Sequence, residues 1–568
     1  MKMPKKHRLF PLRRDLIAAT SCFIFLTGCS LIPAGDQESE TYESSISLEA
    51  ETSAASVNDT SEAEEDDVLE YEETQTETDE SVFNREEQLG PDETGESTDA
   101  GSGLFPYVYV EQESEYADVG KLLASSRYEL LWLRSEGSDY SELKNALALY
   151  DRSRKERAVS EYEEMLALAR EDSGDSEEFL GYQSVSTTDI LRADNSILSF
   201  TDETYVYTGG AHGNLTVTGR SFDINTGKSL ELGDLVEDTK ALSDYIVGHL
   251  ENNYGSQGLL TEGWEDIVRG ESDPCFALGP EGLKIYYAPY LIGPYALGTV
   301  TVDVPYGEAS IGFKEEYLPT EKQSVWKLKP YEELFLDIDG DGTGESISYE
   351  LSESGDNMEY RLLISDGTKS VSKGEDCGYG ITDAYIMRTP KDRYMFYGEI
   401  SRENDWRFLS IVDVTGLWSE ENSSHEIEPC GYYEAFYGNV PVNSGKFYLS
   451  TRGDLLSTVS IMRKYAVGDE GMPAALDDEY SYENFEIRAR KNVPGHVLGH
   501  SGEEVFSEDA IPSGSLLRAV STDEESYVIL ENMDTGELIR VDINGDGWPH
   551  TIEGKAIEEY FEGLIFAG

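Results

Sequence analysis

Residues 30–103 set the first limit on what this chain can fold into. The stretch is dense in Glu, Asp, Ser and Thr, with Arg85 almost its only base and few large apolar residues. Such a segment cannot bury enough surface to offset the entropy of ordering it, and like-charge repulsion keeps it extended. Residues 29–103 therefore read as a disordered acidic linker, with folded protein expected from Leu104. The whole chain of 568 residues carries a formal charge of −69. Nucleic acid is excluded as a partner, because phosphate binding needs a surplus of Lys and Arg. A strongly acidic surface attracts calcium, basic peptides and basic proteins, and it also serves solubility alone.

Ahead of the linker, Lys2, Lys5, Lys6, Arg8, Arg13 and Arg14 precede an apolar run from Leu16 to Leu26. A basic head, an apolar run too short to span a bilayer, and then small residues make a secretory signal. Leu26-Thr-Gly-Cys29 resembles a bacterial lipobox. That resemblance implies removal of residues 1–28, lipidation of Cys29 and anchoring on the extracellular face of the bacterial cell membrane. An ordinary signal peptide or an uncut anchor is the alternative. Of the five cysteines, Cys22 leaves with the signal and Cys29 is the lipid site. The remaining Cys275, Cys377 and Cys430 cannot all pair internally. Cys377 with Cys430 is the one pairing to consider, and three thiols the other outcome.

From Leu104 the texture changes. Pro106 to Glu111 alternates like a strand. Ala117 to Ser135 (Val119, Leu122, Leu123, Leu130, Leu131, Leu133) and Tyr140 to Glu171 (Leu143, Leu147, Leu149, Tyr150, Tyr162, Met165, Leu166, Leu168) carry apolar residues at helical spacing. Strands are expected at 196–201, 203–208, 215–222 and 298–305, with a helix over Thr239 to Asn253. Residues 104–320 thus read as an α+β domain. Glu321 to Lys329 reads as a connector. Residues 330–568 read as an all-β domain, propeller-like, barrel or sandwich, from its many short strands between Gly, Asp and Asn turns.

In the first domain, Tyr205-Val-Tyr-Thr-Gly-Gly-Ala-His-Gly-Asn214 is followed by Phe222-Asp-Ile-Asn-Thr-Gly-Lys228, and then by Tyr286 to Gly298 with Tyr290 and Tyr295. In order and spacing these blocks resemble the extracellular domain pair of the RsiV lysozyme-sensing anti-sigma factors. They are similar also to the non-catalytic N-terminal region of the PdaC peptidoglycan deacetylases. The resemblance covers Leu104 to Leu318. It implies an outward-facing binding domain, whose partner would be a basic protein of lysozyme type or a cell-wall glycan. The chain has neither the cytoplasmic anti-sigma segment nor a deacetylase domain, so sigma-factor signalling and deacetylation are not implied. Read physically, Gly209, Gly210, Ala211, His212 and Gly213 form a tight turn between strands. His212 is expected to hydrogen-bond within that turn and pin it, in preference to acid–base or metal chemistry. Asp223 to Gly227 reads as a hairpin turn. Tyr286, Tyr287, Tyr290 and Tyr295 either pack or stack on a partner.

Two acidic loops mark the second domain. In the first, Asp337, Asp339, Asp341 and Glu345 stand at loop positions one, three, five and nine, with Thr343 offering a carbonyl. Calcium takes six to eight oxygens, so this loop resembles those of VCBS and integrin-like repeats. An Asp-Gly hairpin turn is the alternative. Asp542, Asn544, Asp546, Trp548 and Glu553 repeat the design at full EF-hand spacing, but His550 stands where a carboxylate is preferred.

The leading expectation is a lipid-anchored surface binding protein with a calcium-stabilised β domain. A wall-active hydrolase using His212, or His496 and His500, is the enzymatic alternative. His496-x-x-x-His500 lacks the Glu of a zincin, and Gly495 and Gly499 oppose a helix. No convincing catalytic constellation stands out. A structural adhesin or spacer is the third reading.

Overall fold

A computed structural model describes residues 103–566, except 118–119, 136–139, 174–178, 271–273, 321, 356, 403–405, 420–425, 428–433 and 500–502. The signal peptide, Cys29, the linker up to residue 102, Cys430 and His500 lie outside the described residues. Within them the chain is strand-rich with few helices, and no closed barrel forms.

The first region builds a five-stranded sheet in sequence order: β1 (Leu104–Tyr116), β2 (Leu122–Ser135), β3 (Tyr182–Ala193), β4 (Ile197–Tyr207) and β5 (Asn214–Asp223). Only β2 and β3 are parallel. A parallel neighbour needs a crossover, and helix α1 (Ser141–Asp172) supplies it. Leu143, Leu147, Tyr162, Met165 and Ala169 of α1 are buried, as the helical spacing predicts, whereas Leu149 and Leu168 face outward. Arg154, also on the buried face, is paired with Asp202 at 3.0 Å and bonds Ser186 and Thr188.

The expected helix over Ala117 to Ser135 is instead the long strand β2. Its apolar residues fit a helical period because the strand is inside the sheet, between β1 and β3, and is buried along both faces. Leu131 and Leu133 meet α1, while Tyr128 and Leu130 are buried as well. A strand covered on both sides loses its two-residue alternation and reads as an apolar run. The two strands expected at 196–208 are one, β4.

A second core follows. Helix α2 (Thr239–Asn253) starts at Asp238, whose carboxylate accepts from Ala241 N at 2.9 Å, and buries Leu242, Ile246 and Leu250. With α3 (Trp264–Gly270) it packs on the antiparallel strands β6 (Phe276–Leu278), β7 (Gly282–Tyr287) and β8 (Val300–Pro305). The chain therefore carries two α+β cores in the stretch read as one domain.

The third region is made of layered antiparallel sheets. Strand β9 (Val325–Lys327) falls in the expected connector and pairs with residues 385–387. Strands β10 (Leu334–Leu336), β11 (Glu345–Ser354), β12 (Asn357–Ser365) and β13 (Ser370–Asp376) form one sheet. Strands β14 (Gly380–Arg388), β15 (Tyr394–Ser401), β16 (Arg407–Asp413) and β17 (Glu426–Ile427), with β9, form the next. One face of this second sheet packs on β11 and β12. The other packs on β18 (Phe447–Gly453) and β19 (Val459–Val467). Strands β14 to β16 are thus buried nearly throughout, whereas β11 and β12 alternate. The last sheet continues through β20 (Pro473–Ala475), β21 (Tyr480–Tyr482), β22 (Glu486–Ala489), β23 (Val493–Leu498), β24 (Glu504–Ile511), β25 (Leu516–Thr522), β26 (Tyr527–Asn532) and β27 (Leu538–Asp542). It encloses its own core.

Two of the contacts between the first and third regions are polar and bear on stability. Residues 438–440 run beside β1: Val108 N donates to Gly438 O and Val440 N to Pro106 O, both at 2.8 Å. Asp189 of β3 holds both Lys327 and Lys329, the latter at 2.5 Å. Burial alone would push the Asp189 carboxyl up, but the charges and hydrogen bonds of the two lysines outweigh it and hold it well below the usual carboxylate range. A depressed carboxylate contributes stability in full above its unfolded pKa, of about 4, and loses it as pH falls towards the folded value. Asp189→Asn should therefore lower the melting temperature at pH 7. That deficit should shrink as both proteins are melted at successively lower pH below about 4.

Candidate binding and metal sites

The turn from Gly209 to Gly213 joins β4 to β5 and is assembled with residues far along the chain. Gly209 and Gly210 take φ of 94° and 87°, a left-handed backbone that favours glycine. Gly213 is glycine for a different reason: a Cβ there would lie 2.5 Å from both the Tyr205 ring and the Val206 carbonyl. Tyr205 OH accepts from Gly213 N at 3.1 Å. The Gly213 carbonyl is met by Tyr295 OH at 3.0 Å and by His212 Nδ1 at 3.1 Å. That contact places the ring proton on Nδ1 and leaves Nε2 as an acceptor in the neutral imidazole. The His212 ring stacks on Tyr295, with centroids 3.9 Å apart and planes 17° from parallel. Tyr290, at φ 70°, leans on Tyr295 at 5.4 Å and is 60% exposed.

His212 is therefore pinned in its turn, as the sequence suggests, and it also forms one wall of an exposed aromatic ridge with Tyr290 and Tyr295. Ala211 and Asn214 are exposed beside it. Gly298, at φ 64°, closes the short turn that carries Tyr295. Phe222 lies elsewhere, buried against Phe200 in the first core. Asp223 folds its own turn, its Oδ1 accepting from Asn225 N, Thr226 N and Thr226 Oγ1 at 2.9 to 3.0 Å. Gly227 fits there because a Cβ would lie 2.4 Å from the Glu142 carbonyl. Tyr287 is core and plays no surface part.

In the first acidic loop the structure brings together Asp337, Asp339 and Glu345, whose carboxylate oxygens lie within 4.8 Å of one another. The loop is folded by its own aspartates. Asp337 accepts from Gly340 N at 2.8 Å and Gly342 N at 3.0 Å, and Asp339 accepts from Asp341 N at 3.1 Å. Asp341 turns to Thr343 N at 2.7 Å and stays outside the group. Glu345, only 1% exposed, accepts from Ile338 N at 2.9 Å. Burial raises its pKa, the Ile338 N–H lowers it, and the neighbouring Asp339 and Asp341 raise it again. Sequence reading missed one anchor: Trp418 Nε1 donates to Asp339 Oδ2 at 3.1 Å.

The second loop is arranged differently. Asp542 is turned to Arg540 Nε at 3.0 Å and to His496 Nε2 at 3.5 Å. Asn544 accepts from Asp546 N at 2.9 Å. His550 Nδ1 bonds the Leu455 carbonyl at 2.8 Å. Trp548 is exposed and edges onto Phe566, and Glu553 sits in an exposed hairpin turn at φ 48°. Among the described residues these side chains form no cluster of three carboxylate or imidazole ligands. The two loops also belong to different sheets.

Cys377 is a buried free thiol whose pKa burial pushes up to about 12. Cys430, the partner considered for it, lies outside the described residues. Cys275 Sγ lies 3.2 Å from both Gly219 N and Val217 O, along the outer edge of β5.

The ridge yields a separable prediction. Tyr295→Phe keeps the stacked ring and removes only the bond to Gly213 O, at a cost of about 1 kcal/mol. Gly213→Ala forces a clash with backbone and should cost about 1–3 kcal/mol. Chemical denaturation of the two variants should rank them in that order.

Comparison with known proteins points to the second of the two α+β cores. The family described as "Protein of unknown function (DUF3298)" matches residues 234–307. Among solved structures the chain is similar to a member of the DUF3298 family from Bacteroides fragilis, at 20% identity and TM-score 0.30, over 38% of this chain and 95% of that one. It is similar also to a DUF3298 family protein from Pseudomonas aeruginosa, at 15% identity and TM-score 0.27, over 38% of this chain and 97% of that one. No curated protein sequence matches the chain. The segment from Asp234 to Gly307, which holds α2, α3, the three-stranded sheet, Tyr290 and Tyr295, is a DUF3298 domain.

Proposed function

We propose that this chain is a lipid-anchored protein of the bacterial cell surface that captures a basic protein of lysozyme type or a cell-wall glycan. Capture takes place on the His212–Tyr295–Tyr290 ridge. The observation that carries the reading is the ridge itself: residues from two separate motif blocks meet there, stack, and leave Tyr290 60% exposed. Aromatic faces with one polar end serve both sugar rings and protein partners. The lipobox-like Leu26 to Cys29 and the acidic linker support display outside the membrane. The formal charge of −69 favours a basic target.

Calcium, in this reading, stiffens the third region, held by Asp337, Asp339 and Glu345. Three hard oxygen donors, one of them a buried carboxylate, suit that ion, and a bound cation would offset both the burial and the Asp339 and Asp341 repulsion that raise the Glu345 pKa.

Two measurements test these assignments. The full chain is titrated against a basic lysozyme and against purified peptidoglycan, at low and physiological salt. Saturable binding to one of them should persist at physiological salt and weaken at least tenfold in Tyr290→Ala. Binding that vanishes with screening, or that ignores the substitution, removes the ridge from the account. Calcium at millimolar concentration should raise the melting temperature of the native chain but not that of Glu345→Gln. An equal rise in both would place the ion elsewhere.

A further inference from the structure

Strand β24 ends its sheet: the order runs β25, β26, β27, β23, β24, and no strand among the described residues lies beyond it. Gly499 N donates to Glu503 O at 2.8 Å, and Val497 faces Val505 while His496 faces Phe506. Antiparallel pairs alternate between bonded and non-bonded. Glu503, Val505 and Ser507 therefore spend their main-chain groups on β23, while the N–H and C=O of Glu504 and Phe506 point out of the sheet. The same strand exposes apolar side chains on both faces, Val505 at 62% and Phe506 at 54%. Phe506 is propped edge-on by His496 at 5.3 Å.

The surrounding charge selects what can use this edge. Glu503, Glu504, Glu508 and Asp509 are all exposed. Bringing a second copy alongside would set these four carboxylates against the same four. Past Ser507 the strand slips register, Ile511 facing Val493 while Ser507 faces Gly495, and this bulge ends the usable edge. What remains is a short, acidic, partly apolar template with two residues' worth of open main chain. An unpaired edge accepts an extended segment by main-chain hydrogen bonds, and side chains alternate in where they point.

We infer that the β24 edge from Glu504 to Ser507 is a second binding site, which takes an extended basic segment of another protein by adding it as a strand. In that segment apolar residues alternate with Lys or Arg. Side chains alternate between faces, so the apolar residues cover Val505 on one face, while the cations lie along Phe506 and meet Glu504 and Glu508 on the other. This site is separate from the aromatic ridge and does not depend on it.

The test uses the full chain and a blocked octapeptide of alternating lysine and valine. Three further probes are its alternating glutamate–valine counterpart, a lysine–valine peptide N-methylated at alternate residues, and no peptide. N-methylation keeps charge and side chains but removes the main-chain donors. The expected result is binding at physiological salt, slower amide exchange at residues 504 and 506, at least tenfold weaker binding of the N-methylated peptide, and none of the glutamate peptide. Phe506→Pro removes an outward N–H without touching the β23 ladder, and it should weaken binding equally with the melting temperature preserved. If that variant unfolds, the N-methylated peptide decides. The inference is overturned by absence of binding, by equal binding of the N-methylated peptide, or by protection away from 504–507. Protection of 504 and 506 that rises with protein concentration in the absence of peptide also overturns it, in favour of a second copy.

Discussion

A carboxylate with no exposure at all holds the molecule's joints in place. Glu399 stands in β15, inside the sheet that is covered on both faces. Its Oε1 accepts from Arg407 at 3.0 Å and Thr382 at 2.7 Å, and its Oε2 from the backbone N–H groups of Phe436 at 2.6 Å and Tyr437 at 3.0 Å. Every oxygen is thus satisfied, which a buried charge requires if it is not to cost more than it contributes. The consequence reaches beyond the sheet. Phe436 and Tyr437 begin the segment whose next residues, Gly438 to Val440, bond to β1 of the first region. Asn439 Nδ2 ties the segment back to Phe436 O at 2.7 Å and to Ser450 at 3.1 Å. One buried carboxylate therefore orients the strip on which the first sheet docks.

Much of the architecture is legible in the sequence where one face of an element meets water. Helix α2 shows Leu242, Ile246 and Leu250 at the helical period, and β11 and β12 alternate because one face is solvated. Legibility fails where burial is two-sided. Strand β2 carries leucines on both faces, a helix-forming residue at helix-like intervals, so its local signal opposes its place in the sheet. In β14 to β16 the same double burial does no harm to assignment, because their Tyr, Phe, Ile and Val favour strands in their own right.

The candidate sites divide along a similar line. Each motif block is visible as a short string, but the pairing of His212 with Tyr295, or of Asp339 with Trp418, joins residues about 80 positions apart and leaves no local trace. The two acidic loops make the point most directly. Both offer Asp-x-(Asp/Asn)-Gly-Asp-Gly, yet only one gathers its carboxylates. In the first, Glu345 opens β11 and is drawn inward by Ile338 N. In the second, Asp542 closes β27 beside Arg540 and His496, which claim it. Glu553 stands in an outward hairpin turn. A loop pattern states which oxygens are available, and the neighbouring strands decide where they point.

The first acidic loop is also wired to the core rather than hung from the surface. Trp418, which anchors Asp339, follows β16 and packs among Ile338, Leu362, Phe396 and Val412. Lys369 lies over the Trp418 ring at 4.2 Å and donates to its carbonyl, so the indole is held from two sides. Any movement of Asp339 must therefore be transmitted to a ring packed between two sheets, where close packing leaves little room for independent adjustment. The same sheet carries Glu399 on its neighbouring strand. Loop, double-covered sheet and docking strip form one continuous set of contacts, so stiffness gained at Asp337, Asp339 and Glu345 would be felt in the layer that positions the first region.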